Sequence, residues 1–143
     1  MTGHVLVADG ALTTRILLKA ILTEAHYDVS LVGDSASAIG ILRHNYPGVL
    51  ILGQMLADGP GTALLEWVRA RPDTRALPVI MLSDQANPQS RIDALSAGAD
   101  EMMAKPISEA TLLARLRSLL RAYDSETALD ERAGAGHDMG VSE

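Results

Sequence analysis

Four short apolar runs in this chain end on residues that decide what chemistry is possible. The ends are Asp9-Gly10, Gly53-Gln54, Ser83-Asp84 and Lys105-Pro106. Together they offer a carboxylate, a hydroxyl with a second carboxylate beside it, and an ammonium. A lone carboxylate is a poor Mg²⁺ site, because that ion demands several oxygen ligands in near-octahedral array. Asp9 and Lys105, if they meet away from water, neutralise each other as an ion pair. Gly53 has no side chain to attack a phosphoryl donor or to hold a metal. The residues present therefore favour a self-satisfied pair of charges over catalysis.

Nothing else in the chain competes for chemical work. His4, His26, His44 and His137 show no metal-ligand spacing and read as surface or boundary residues. Gly59-Pro60-Gly61 is not a phosphate loop, since no Lys-Ser/Thr pair follows it at a helix start. Cysteine is absent, which excludes disulfides and thiolate metal sites and fits a reducing compartment.

The elements that must position these ends follow from the hydropathy pattern. Strands are expected at Val5 to Ala8, Asp28 to Val32, Val49 to Leu52, Val79 to Leu82 and Glu101 to Ala104. Continuous apolar runs of this length are what strands covered on both faces require. Between them lie segments of helical period. Ile16, Leu17, Ala20, Ile21 and Leu22 form the first. Asp34 is placed to cap a helix through about His44, and Ala63 to Arg71 turns Leu64, Leu65 and Val68 to one side. Asn87-Pro88 is a cap with proline at the first helical position, and Gly98 suits a left-handed helix stop. Ser108 caps a last helix striped by Leu112, Leu113, Leu116, Leu119, Leu120 and Tyr123. Five strands alternating with five helices imply a flavodoxin-like (βα)5 doubly wound parallel sheet, with strand order 2-1-3-4-5. Its site belongs at the carboxyl ends of the strands, where the four residue pairs fall.

Composition agrees. The 143 residues suffice for one domain with a core, and 48% are apolar. Phe is absent and aromatics are 3%, so Leu, Ile, Val, Ala and Met must build that core. A net charge of −6 argues against general nucleic-acid binding. No apolar run approaches the roughly 18–20 residues of a membrane span. Met1-Thr2-Gly3-His4 lacks the charged and apolar regions of a signal peptide. The expectation is a soluble, cytoplasmic domain over 1–123. Beyond it, 124–143 turns acidic and then meets Ala133-Gly134-Ala135-Gly136, as a linker or helical extension toward a further domain would.

Val5-Leu6-Val7-Ala8-Asp9, Pro78-Val79-Ile80-Met81-Leu82-Ser83, Ala97-Gly98-Ala99-Asp100 and Lys105-Pro106-Ile107 resemble the response-regulator receiver (CheY-like) domain in order and spacing. Arg71-Pro72-Asp73-Thr74-Arg75 and Leu113-Ala114-Arg115-Leu116-Arg117-Ser118-Leu119 look like the first receiver of PleD-type diguanylate cyclase regulators. The family's chemistry uses a strand-end aspartate as phosphoryl acceptor, an acidic pair for Mg²⁺, and a hydroxyl and a lysine for the phosphoryl oxygens. The resemblance puts Asp9 at the first of the acidic pair, Ser83 at the hydroxyl and Lys105 at the lysine. Pro106 matches a proline that follows a cis bond. Gly10 stands at the second acid and Gly53 at the acceptor. Met102 replaces the usual switching Tyr or Phe, and Ala57-Asp58-Gly59-Pro60 replaces a proline-led loop. Acceptor, metal site and aromatic switch have departed together.

The resemblance therefore implies a degenerate, phosphorylation-independent pseudo-receiver of a two-component phosphorelay or cyclic-di-GMP signalling protein. It is expected to bind Mg²⁺ weakly or not at all and to act as a dimerisation or docking module. Its partners would be proteins, either a neighbouring receiver or an output domain such as GGDEF, with a homodimer as one form. The alternatives are a receiver phosphorylated at a displaced aspartate, Asp58 or Asp84, and a stand-alone partner-binding adaptor. Two surfaces are candidates for docking. Trp67, the lone tryptophan, is expected at the core's edge or outside it, either as a contact or as a lid over its own helix. The other face would carry Arg91, Met102, Met103, Arg115 and Arg117. There strand alternation turns one methionine to the core and leaves Met102 exposed.

Overall fold

The computed structural model describes residues 3–85 and 87–121. Along the chain run β1 (His4–Ala8), α1 (Leu12–Glu24), β2 (Asp28–Val32), α2 (Ser35–His44), β3 (Val49–Gly53), β4 (Met55–Leu56), β5 (Gly59–Pro60), α3 (Gly61–Ala70), β6 (Val79–Ser83), α4 (Pro88–Ser96) and β7 (Glu101–Ala104). A fifth helix, α5, covers 109–121. Five strands form one parallel sheet in the order β2-β1-β3-β6-β7. With the small β4–β5 hairpin set aside, this is the expected 2-1-3-4-5 order. That hairpin lies where a plain loop was expected, pairing Met55 with Pro60 and Leu56 with Gly59.

The period of two along each strand divides the core into halves. Leu6, Ala8, Leu50, Leu52, Val79 and Met81 pack against Leu42 of α2, Leu64, Leu65 and Val68 of α3, and Ala94 of α4. Val5, Val7, Val49, Ile51, Ile80 and Leu82 pack on the other face against Leu18 and Leu22 of α1 and Leu112 and Leu116 of α5. Each such leucine or isoleucine, when fully buried, contributes about 1.5–3 kcal/mol, so the aliphatic core does without phenylalanine.

Helix ends follow the expected chemistry. Asp34 accepts from the Ser37 N–H at 2.6 Å and Asn87 accepts from the Ser90 N–H at 2.8 Å, with Pro88 opening α4. Gly98 has φ +113°, and the Ala99 and Gly98 N–H groups close back on the Ala94 and Leu95 carbonyls at 3.0 and 3.1 Å. Helix α1 ends in the same double bond without a glycine. His26 takes φ +71°, and Tyr27 and His26 donate to Leu22 and Thr23, both at 3.0 Å.

Helix α1 corrects one expectation. Its buried side is Thr14, Leu18, Ile21 and Leu22, whereas Ile16 and Leu17 are exposed. The apolar spacing was real but ambiguous, because α1 carries more leucine and isoleucine than its buried stripe uses. The proposed boundary at 123, Tyr123 itself and the tail 124–143 lie outside the described residues. Among the described residues no helix is long and apolar enough to cross a membrane.

Candidate functional site

The carboxyl ends of β1, β3, β6 and β7 open onto a cleft of about 350 Å³ whose walls include Asp9, Gly10, Gln54, Met55, Asp84 and Lys105. Asp9 is buried. Its Oδ1 accepts from the Ala11 N–H at 2.8 Å, and its carbonyl accepts from Arg15 Nη1 at 2.7 Å. Its Oδ2 is buried and makes no hydrogen bond among the described residues. The counter-charge is Lys105, whose Nζ lies 3.3 Å from Asp9 Oδ2 and 3.5 Å from Asp84 Oδ1. The bond between Lys105 and Pro106 is cis, as the resemblance implied.

The two glycines are more than missing side chains. A Cβ at Gly53 would lie only 2.7 Å from Asp9 Cγ, and the carboxylate oxygen Oδ2 is closer still. The Asp9 carboxylate thus leans over the strand end, into space that a side chain at 53 would need. At Gly10 a Cβ would meet the Met55 carbonyl oxygen at 2.9 Å, and the Gly10 N–H donates to that same oxygen at 3.0 Å. The hairpin backbone has closed onto position 10. A bound Mg²⁺ does not fit this arrangement. One buried carboxylate already faces an ammonium, and no group of three or more His, Cys, Asp or Glu is placed to hold a metal among the described residues.

The hairpin is fastened on three sides. Besides the Gly10–Met55 bond, the Ala57 N–H donates to the Gly33 carbonyl at 2.8 Å. Asp58 reaches the start of α2, where Oδ1 accepts from the Ser35 N–H at 2.8 Å and Oδ2 from the Ala36 N–H at 3.2 Å. The Ser35 N–H is the main reason that the Asp58 carboxyl lies below the usual carboxylate range; slight desolvation opposes it, and the Ala36 N–H adds to it. Asp58 is thus an outlying cap for α2 and is not among the residues lining the cleft.

Of the expected pocket residues, Asp9, Gly10 and Lys105 come together. Ser83 is buried but turns away from the cleft. Its Oγ donates to the Gln85 carbonyl at 2.8 Å and accepts the Gln85 N–H at 3.0 Å, and it borders a separate cleft with Met81, Met102 and Asp93. Pro106 is exposed and does not line the main cleft. Gln54, named from the sequence only as a strand-end position, is a wall residue. Its Oε1 accepts the Asp84 N–H at 3.1 Å, which aims the β6 end toward the cleft.

The two candidate surfaces also resolve into contacts. Trp67 is half-buried against the core, and the Arg71 guanidinium sits 4.8 Å from its ring centroid. Arg71 in turn binds both oxygens of Asp73 at 3.2 Å, which holds that carboxyl below its usual range. Trp67 thus lies at the core's edge, with Arg71 over its ring. On the other face, Glu101 joins α4 and α5, meeting Arg91 at 3.7 Å and Arg115 at 3.1 Å. Alternation in β7 holds, with Met103 buried in the second cluster. Met102, however, is half-buried against the first cluster instead of exposed, because the helices of that face cover the β7 edge.

The family described as response regulator receiver domain matches residues 5–117. The chain is similar to the response regulator PleD of Caulobacter vibrioides, 31% identical over 141 residues, which cover 99% of this chain and 31% of PleD. The transcriptional regulatory protein GltR of Pseudomonas aeruginosa is 33% identical over 117 residues, covering 82% of this chain and 48% of GltR. The chain thus spans about a third and about half of these two curated relatives. Among solved structures, the receiver domain of Francisella response regulator 1452 superposes with a TM-score of 0.79 at 26% identity, covering 85% of this chain and 98% of that one.

Proposed function

The chain belongs to the response-regulator receiver family, and from that premise we propose that it is a pseudo-receiver, a signalling module that works without phosphorylation. The observation that carries this reading is the strand end at Gly53. No acceptor side chain stands there, and the Asp9 carboxylate leans into the space where one would sit. Gly10, closed over by the hairpin carbonyl, removes the second metal-binding acid by the same means.

Such a domain acts through its surfaces. The face of α4, β7 and α5, with Arg91, Glu101 and Arg115, and the Trp67–Arg71 edge of α3 are the docking or dimerisation candidates. The similarity to PleD over 141 residues supports a place beside a second receiver or an output domain in a longer signalling protein, a GGDEF diguanylate cyclase among them. The domain itself performs no catalysis in this reading.

The test is exposure to acetyl phosphate, and separately to beryllofluoride with Mg²⁺. The expected result is no covalent labelling and no change in melting temperature. Stoichiometric labelling of any aspartate overturns the proposal. One residue keeps a second reading alive: Asp84 is exposed, lines the cleft and stands 3.5 Å from Lys105. Labelling that Asp84→Asn abolishes would establish it as a displaced acceptor. Asp58 is less suited, since both its oxygens accept from the start of α2.

A further inference from the structure

We infer that the second cleft, between α4 and the strands β6 and β7, is a binding site for a small aromatic amine, its ring held among three methionines and its ammonium by Asp93. This site goes beyond the pseudo-receiver reading and does not depend on it. Three observations converge on it.

The first is the thin inner side of α4. Ala94 is the one buried residue of that helix, whereas Ile92 and Leu95 are exposed. Helix α3, by contrast, sends Leu64, Leu65 and Val68 inward. With only a methyl group to offer the sheet, α4 leaves a cleft of about 300 Å³ beside Met81 and Met102. That volume is at the lower end of the range for small-molecule sites. The second is the lining. Met81 is buried, Met102 is half-buried and Met55 is exposed, so thioethers run from the floor of the cleft to its lip. Thioethers are polarisable and adaptable in shape, and they make favourable contacts with aromatic rings. No aromatic residue lines this cleft, so a ring held there comes from a ligand.

The third is an uncompensated charge on the wall. Asp93 Oδ1 accepts from Gln89 Nε2 at 2.8 Å, but neither oxygen meets a cation among the described residues, unlike those of Asp9, Asp73, Asp100 and Glu101. A mostly apolar cleft with a carboxylate on one side suits a ligand that has a ring at one end and an ammonium at the other. The same carboxylate repels an anionic ligand of equal shape. Helix α4 also carries Arg91, which meets Glu101 on the docking face. A ligand that braces α4 from inside therefore acts on that face.

Methionine-methyl NMR of the full chain tests this, with 2-phenylethylamine as the probe and phenylacetate as its charge-reversed counterpart. The methyl signals of Met55, Met81 and Met102 should shift together and saturate, with a Kd of about 1 mM or tighter. Met103 is the internal control. It is buried in the second cluster, on the other face of the sheet, and its signal should stay in place. Phenylacetate should bind about tenfold more weakly or not at all. Asp93→Asn, a change at an exposed position, should weaken the amine by about tenfold. Ala94→Leu should abolish binding by filling the cleft, and Ala94→Val serves the same comparison if the leucine variant fails to fold. A wild type whose three cleft methyls do not respond overturns the inference. So does a Met103 signal that moves as far as theirs, phenylacetate that binds as well as the amine, or undiminished binding to the Asp93 or Ala94 variant.

Discussion

A methyl group at position 53 would press on the Asp9 carboxylate, which cannot retreat without leaving Lys105 or the Ala11 N–H. Gly53→Ala is therefore expected to destabilise the protein by about 1–3 kcal/mol, as overpacking in a tight core does. Urea unfolding measures it. Combining it with Asp9→Ala should cost less than the sum of the two single changes, because the collision is removed along with the carboxylate. The identity of the pocket residues was legible in the sequence, since they fall at the ends of apolar runs. The occupation of the glycine space was not, because it depends on a rotamer of a residue 44 positions away (53 − 9) on the adjacent strand. Ser83 was misplaced for a related reason. Its hydroxyl is held by the backbone of Gln85, two residues on, a local bond that no strand-end alignment displays.

Helices α1, α2 and α4 show the same division at the level of elements. Asp34 and Asn87 were readable as caps because a cap is a contact three residues long. The second cap of α2 was not, because Asp58 reaches it from another element 23 positions away. Its pKa is lowered on folding, so its contribution to stability is present above the unfolded value of about 4 and is lost as pH falls through the lower folded value. Asp58→Asn should give a small loss near neutrality that shrinks as pH falls below the usual carboxylate range. Denaturant unfolding followed across that range gives the comparison. At the end of α1, His26 holds a left-handed conformation where glycine is preferred. His26→Gly should therefore stabilise the chain by about 0.5–1 kcal/mol, read as a higher urea midpoint with an unchanged slope. The opposite sign would mean that the imidazole contributes more than its backbone costs.

Across the whole molecule, Arg69 ties α3 to segments that are far apart in sequence. Its Nε donates to the Gly98 carbonyl at 2.9 Å, and its Nη1 to the Arg75 and Leu77 carbonyls at 2.9 and 2.6 Å. Its Nη2 meets Asp100 Oδ2 at 3.1 Å, and that oxygen also accepts the Val79 N–H at 2.8 Å. One guanidinium thus secures the entrance to β6 and the turn before β7. Arg69→Ala is expected to cost about 2–4 kcal/mol, since partly buried carbonyls lose their donors. Arg69→Lys should recover little, because an ammonium cannot serve several carbonyls from one plane. Equal stability of the two variants with the wild type, by calorimetry, would refute this. The fold itself was legible at this scale, because alternating apolar runs and helical stretches leave few ways to wind a sheet. The Arg69 hub was invisible for the opposite reason, since a surface arginine late in a helix looks like any other.

The Trp67–Arg71 pair has an optical consequence. The chain's only indole lies half in the core with a cation over its face, so its emission is a single-site gauge of how that edge of α3 is covered. A partner that displaces the guanidinium would register as a spectral shift without any label. Ligands confined to the strand-end cleft, which does not include Trp67, would leave the colour of that light unchanged.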